Sequence, residues 1–187
     1  MDRKEALLLL KEHVNEANLI KHSLAVEAAM EALAFYFGLP ENEKEEWAIS
    51  GLLHDVDYEL TKNEPEKHSL VGAKMLEELG LSPAIVQAVK CHNHHHQIEP
   101  QTLMAKALLS VDPLTGLIVA ATLVLPSKKI ADLTVQNVLN RFKEKRFAQG
   151  ADRDIIYLAE KNLGLSLEKF VEIVLKAMQF ISDELGL

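Results

Sequence analysis

The chain has 187 residues, 48% hydrophobic and 26% charged, with a net charge of −8. This is the composition of a globular chain with a sizeable core, not of a disordered one, and a pI near 5.5 gives no general attraction to nucleic acid or anionic membrane. A phosphate-bearing ligand would have to be met by a local cation or a metal, and the lone Cys91 excludes an internal disulfide and fits a reducing compartment.

The opening MDRKEALLLLKEHV carries an apolar run too short for a secretory signal or a membrane span, and LIVAATLVLP at 117–126 is also too short. The expectation is a soluble cytoplasmic protein without membrane contact. Apolar residues then recur at intervals of three and four, and no period-two pair of strands appears. The clearest amphipathic helix covers 19–37 and is stopped by Gly38 and Pro40, and EKEEWAISGLLHD forms the next. In NEPEKHSLVGAKMLEELG, Pro65 stands near a helix start and Gly80 past its end. Ser82 caps SPAIVQAVKCH, with Pro83 in its first turn. Pro113 separates QTLMAKALLSVD from LTGLIVAATLVL, and this predicts two helices, because an interior proline removes a hydrogen bond and clashes with the preceding turn. Three more helices follow, capped by Thr134, Asp152 and Ser166. No repeat, low-complexity tract or linker marks a boundary. The expected fold is all-α, one domain over 1–187, with a motif-bearing core at 18–125 and a helical extension at 126–187.

Several ionisable residues lie on apolar faces. His22 shares a stripe with Val26, Ala29 and Leu33; His68 heads one with Val71, Met75 and Leu79; His92 ends one with Ile85 and Val89. Asp112 follows Ala105 and Leu108 in the same way, and His54-Asp55 closes an apolar helix. Each has a plain reading taken singly: a core histidine bonded to a carbonyl, or an aspartate starting a turn before proline. Together they suit one shared ligand sphere, because unpaired ionisable groups are rarely buried. Imidazole with carboxylate fits Zn, Fe, Mn, Co or Ni, whereas Mg and Ca prefer oxygen alone. His94, His95 and His96 read as a loop after the helix.

The order His22, His54-Asp55, Asp112 resembles the H…HD…D signature of the HD-domain metal-dependent phosphohydrolases, and IKHSLAVEAAM, GLLHDVDYE and SVDPLTGL agree with it. The segment HSLVGAKMLEELGLSPAIVQAVKCH resembles the insertion of binuclear members, ordered H…HD…H…H…D. The resemblance implies an HD-domain-like helical bundle, with one or two divalent transition-metal ions on His22, His54, Asp55, His68, His92 and Asp112. In that pattern Asp55 bridges the ions and His68 and His92 serve the second. It also implies hydrolysis of a nucleotide or related phosphoester by metal-activated water. Asp57 stands where one branch has the glycine of HDIGK, and neither HHE…GYP nor HDxxED text is present, so the substrate is left open. Asp57 and Glu59 are close enough in sequence to Asp55 to act as a general base or orient a ligand; each also reads as a solvated carboxylate or cap. Lys128, Lys129, Lys143, Lys145, Arg146 and Arg153 are the basic residues available to clamp phosphate, and equally read as an exposed helix face. The expected partner is a small phosphorylated substrate rather than nucleic acid, and a homodimer is left open. Two other readings belong to the same ligand order: an oxygenase resembling the di-iron inositol oxygenases, and a non-catalytic metal-binding module.

Overall fold

Every regular element in the computed structural model, which describes residues 1–187, is helical. The first, α1 (Arg3–His13), opens on a capping box: Asp2 accepts from the Glu5 N–H, and the Glu5 carboxylate accepts from the Asp2 N–H. That D-x-x-E signal stands in the sequence. Arg3 then reaches Glu27 with bonds of 2.7 and 3.0 Å, tying α1 to α2 (Ala17–Tyr36). Next come α3 (Glu41–Leu53), the single turn α4 (Tyr58–Thr61), α5 (Leu70–Glu78) and α6 (Pro83–His92). They lead into α7 (Leu103–Leu123). The last third forms α8 (Val135–Lys143), α9 (Arg153–Leu163), α10 (Leu167–Phe180) and the short α11 (Ser182–Leu185). Thr134, Asp152 and Ser166 cap α8, α9 and α10 as the sequence predicts.

Helices α2 and α7 form the central pair. α2 packs on α3, α7, α10 and α11, and α7 also packs on α6, α8 and α9. One continuous apolar cluster joins Leu10, Leu33, Leu52, Leu76, Leu108, Ile118, Phe170 and Leu185, so the helices after 126 share the core of those before it.

Two expectations fail. α7 runs unbroken through Pro113. Leu108 and Val111 before the proline and Leu114, Leu117 and Ile118 after it are all fully buried. Burial on both sides offsets the roughly 3 kcal/mol that an interior proline costs. The merged helix is 21 residues long, and by length and apolar composition it would suffice to cross a membrane; 61% of its most apolar window is buried in the fold. The second failure is at His68. Pro65 starts only a 3-10 turn, Pro65–Lys67, and His68 stands between that turn and α5. Ser69 holds φ of +71° there, a left-handed conformation that is costly for a residue with a Cβ.

α2 packs tightly on α3 at Gly51. A Cβ on Gly51 would lie 2.8 Å from the Val26 carbonyl oxygen and 2.9 Å from the Glu27 N and Cα. All three are backbone atoms and cannot swing aside. Gly51→Ala should therefore lower the unfolding free energy by about 1–3 kcal/mol through overpacking, despite alanine's better helix propensity. A urea midpoint equal to or above that of wild type would refute the contact.

Candidate metal centre

Helix α2 carries His22, and α3 ends on His54 with Asp55 directly after it. His68 comes from the strained segment before α5, His92 is the last residue of α6, and Asp112 lies in the middle of α7. These residues, scattered over ninety positions, meet in three overlapping groups whose ligand atoms lie within 4.8 Å of one another: His22, His54, Asp55; His54, His92, Asp112; and Asp55, His68, His92.

The outer nitrogens settle how each ring faces. His54 Nδ1 donates to the Gly51 carbonyl at 2.7 Å and His92 Nδ1 to the Val89 carbonyl at 2.6 Å. A carbonyl can only accept, so these Nδ1 atoms carry protons. His68 Nδ1 donates to Asp57 Oδ1 at 2.9 Å. Thr115 gives its hydroxyl proton to the Asp112 carbonyl at 2.9 Å and so accepts from His22 Nδ1 at 3.3 Å. In the neutral rings all four Nε2 atoms are then lone-pair donors, and all four point inward.

What they meet are more acceptors. His22 Nε2 is 3.2 Å from His54 Nε2, and His68 Nε2 is 3.2 Å from His92 Nε2. The Asp55 carboxylate lies between the two pairs. Its Oδ2 is 3.4 Å from His54 and 3.8 Å from His22, while its Oδ1 is 3.2 Å from His68 and 3.4 Å from His92. Asp112 Oδ1 adds a carboxylate oxygen 3.0 Å from His22 and 3.9 Å from His54. Lone pairs converging at these distances repel unless a cation is shared among them. The donor set, imidazole nitrogen with carboxylate oxygen, is that of a divalent transition metal.

Protons compete for the same lone pairs. Burial works against charge at His54, but Asp55 and Asp112 outweigh it and push the pKa up to about 9. Burial likewise opposes charge at His68, and its bonds to Asp55 and Asp57 push it up to about 10. Asp55, whose burial alone would raise it, is held well below the usual carboxylate range by His54, His68 and His92.

Supporting residues account for the rest. Asp57 is fully buried and also accepts from the Gly72 N–H at 2.7 Å, so it fixes the His68 ring. Gly72 allows this approach, since a Cβ there would lie 3.1 Å from the Asp57 carboxyl carbon. His96 Nε2 donates to the His68 carbonyl at 2.7 Å, and Asn93 Nδ2 reaches the same oxygen at 3.3 Å. The histidine-rich loop thus holds the backbone of a cluster residue, a role its composition does not reveal.

The structure corrects other expectations. Glu59 takes no part in the cluster: its carboxylate accepts from the Asn15 and Glu16 N–H groups and the Asn15 amide, across the start of α2. Arg153 is turned to the carbonyls of Phe142, Phe147, Ala148 and Ala151 and clamps the loop before α9, not a phosphate. Lys128, Lys129, Lys143, Lys145 and Arg146 are exposed, with no bond or ion pair to the six cluster residues.

Comparison with known proteins decides the family. The model of the HD domain matches residues 19–134. The chain belongs to the HD-domain family. This is a superfamily of metal-dependent phosphohydrolases, and its domains bind divalent metals. Among curated proteins the chain is similar to Ribonuclease Y of Roseiflexus sp. (strain RS-1), 39% identical over 67 residues, covering 36% of this chain and 12% of the relative. It is 31% identical over 99 residues to Ribonuclease Y of Chloroflexus aurantiacus, covering 53% of this chain and 18% of the relative. With that of Thermoanaerobacter pseudethanolicus it shares 25% over 171 residues, 83% of this chain and 33% of the relative. The chain therefore spans a third or less of these relatives. No solved structure matches it.

Three outcomes follow for the HD-domain site. Metal uptake displaces protons from His54 and His68, so apparent affinity should rise with pH and level off only as pH passes about 9 and about 10; competition with a chromogenic chelator measures it, and a flat profile below that range would contradict the protonated cluster. Asp57→Asn keeps the shape but weakens the hold on His68, and should reduce affinity for one ion about 10–100-fold. In the same titration Glu59→Ala should leave metal affinity unchanged while lowering the thermal midpoint.

Proposed function

We propose that this chain is a metal-dependent phosphoesterase, with His22, His54, Asp55 and Asp112 holding one divalent ion and His68, His92 and Asp55 a second. The observation that carries this reading is the Asp55 carboxylate, whose two oxygens face two separate imidazole pairs. A carboxylate serving a single ion or capping a helix would not need both oxygens so engaged. Divalent ions bound there would polarise a phosphoryl oxygen and acidify water enough for attack at neutral pH.

The chain's own residues prepare that chemistry. The carbonyls of Gly51 and Val89 fix the tautomers of His54 and His92, Thr115 sets His22, and Asp57 sets His68. Asp55 spans the halves and keeps them in register.

The substrate we infer is a phosphoester of a nucleotide, free or within RNA. The acidic chain favours a small substrate. The curated relatives are named ribonucleases, and this weighs against the expectation that nucleic acid is not bound. The cluster itself meets the scissile phosphate either way.

Protein purified without chelator or affinity nickel is expected to hold up to two metal equivalents. His92→Ala should reduce the count towards one, and Asp55→Ala should empty both and abolish hydrolysis. The assay is release of phosphate, nucleoside or shortened product from mononucleotides and an oligoribonucleotide, with Mn, Co, Fe, Ni or Zn. Hydrolysis should proceed equally without oxygen. Oxygen uptake by the iron form, with no hydrolysis under any metal, would replace this reading with the oxygenase.

A further inference from the structure

The cluster is not buried evenly. His22 and Asp112 side chains are 23% and 29% exposed, whereas His54 and His92 are 0% and 2% exposed. It therefore opens to solvent on the side where α2 faces α7. A cavity of about 470 Å3 starts at His22 on that side, within the roughly 300–1,000 Å3 of small-molecule sites. The larger cavity, beside Phe35 and Phe180, contains none of the cluster residues.

Helical phase explains how the cavity is built. On α2, Asn18 and Lys21 stand four residues and one residue before His22, the first on the same face and the second beside it. On α7, Gly116, Val119 and Leu123 follow Asp112 at four, seven and eleven, so the stripe that presents Asp112 continues as the cavity wall. Leu185, Gly186 and Leu187 also line it.

Two details give this cavity chemical character. Lys21 is partly buried and in no ion pair or hydrogen bond with another side chain, unlike Arg3 or Arg141. Its ammonium lies against Gly186, where a Cβ would come within 2.8 Å of Nζ and where φ is +69°. Gly116 stands mid-helix with nothing within 4 Å of an added Cβ. Glycine there weakens the helix, and what it leaves is open space beside the cluster.

We propose that this cavity is the substrate site of the centre and seats one nucleoside unit: Lys21 meets the phosphate beside His22, Asn18 bonds the sugar or base edge, and Val119, Leu123 and Leu187 pack the base. The shared chemistry is a nucleoside carrying the scissile phosphate, whether as a free nucleotide or as the end of an RNA strand. This rests on the phosphoesterase reading for its purpose, but not for its test.

The decisive variant is Gly116→Leu, which replaces a cavity-lining helix glycine at a position where an added Cβ meets nothing within 4 Å. Its thermal midpoint and metal content should equal or exceed those of wild type. The probes are adenosine 5′-phosphorothioate and inorganic phosphate, titrated calorimetrically into the metal-loaded protein. Wild type should prefer the nucleotide analogue by at least about tenfold, the scale of a few apolar contacts, and Gly116→Leu should erase that preference. Lys21→Ala should weaken both probes and Lys21→Arg should restore them. A folded, metal-loaded Gly116→Leu with an unchanged preference overturns the proposal, as does a wild type that binds both probes equally. Hydrolysis insensitive to Gly116→Leu sinks the cavity and leaves the phosphoesterase standing. A preference lost in Gly116→Leu, with no ester hydrolysed under any metal, keeps the cavity and sinks the phosphoesterase. Comparing mononucleotide with end-labelled oligoribonucleotide then separates the two substrate sources.

Discussion

The Asp55 carboxylate is the constraint on which the rest of this molecule depends. A buried carboxylate costs several kcal/mol unless its charge is matched. Here four imidazoles from four segments are arranged so that each oxygen has two. Remove the carboxylate and the two ring pairs, each with its Nε2 atoms 3.2 Å apart, lose the charge that lies between them. The position of Asp55, two residues past the end of α3, allows this. A residue inside the helix would offer one face, whereas the turn from α3 into α4 lets both oxygens project into the gap between helices.

The packing exists to hold those segments at fixed distances. α3 lies on α2 with Gly51 against backbone, and the same glycine's carbonyl receives the His54 ring, so the helix contact and the ring orientation share one residue. α7 brings Asp112 to the other side of His22 and supplies Thr115 behind it. The late helices α10 and α11 pack on α2 and complete the core around it.

Much of this was readable from local pattern. The phase of Val26, Ala29 and Leu33 places His22 on the inner face of α2, and the phase of Ile85 and Val89 selects His92 from CHNHHH, because helical period is a property of neighbouring residues. Pro113 misleads because the proline rule weighs one turn, whereas burial along the whole helix decides. His68 sits outside a helix because the Asp57 bond and the His96 contact to its carbonyl hold it there, and such partners are invisible to a window of a few residues. Glu59 shows the same limit: its partners, Asn15 and Glu16, lie more than forty positions away. A carboxylate near Asp55 in sequence is not thereby near its chemistry. Gly116 and Lys21 passed unnoticed because a cavity is defined by what several elements leave empty.

The two halves of the centre are mounted differently, and this has a kinetic consequence. His22, His54 and Asp112 stand on or at the end of packed helices, α2 and α3 meeting backbone to backbone at Gly51, whereas His68 hangs from a 3-10 turn and a left-handed serine held by side-chain bonds. Segments of the second kind open locally at far smaller free energies than core helices. Under the two-ion reading, an ion on the loop side would lose His68 whenever that short segment opens, whereas His22, His54 and Asp112 keep their places until packed helices separate. The ligands of the centre are thus graded in local stability, with the loop-borne His68 the first to leave its place.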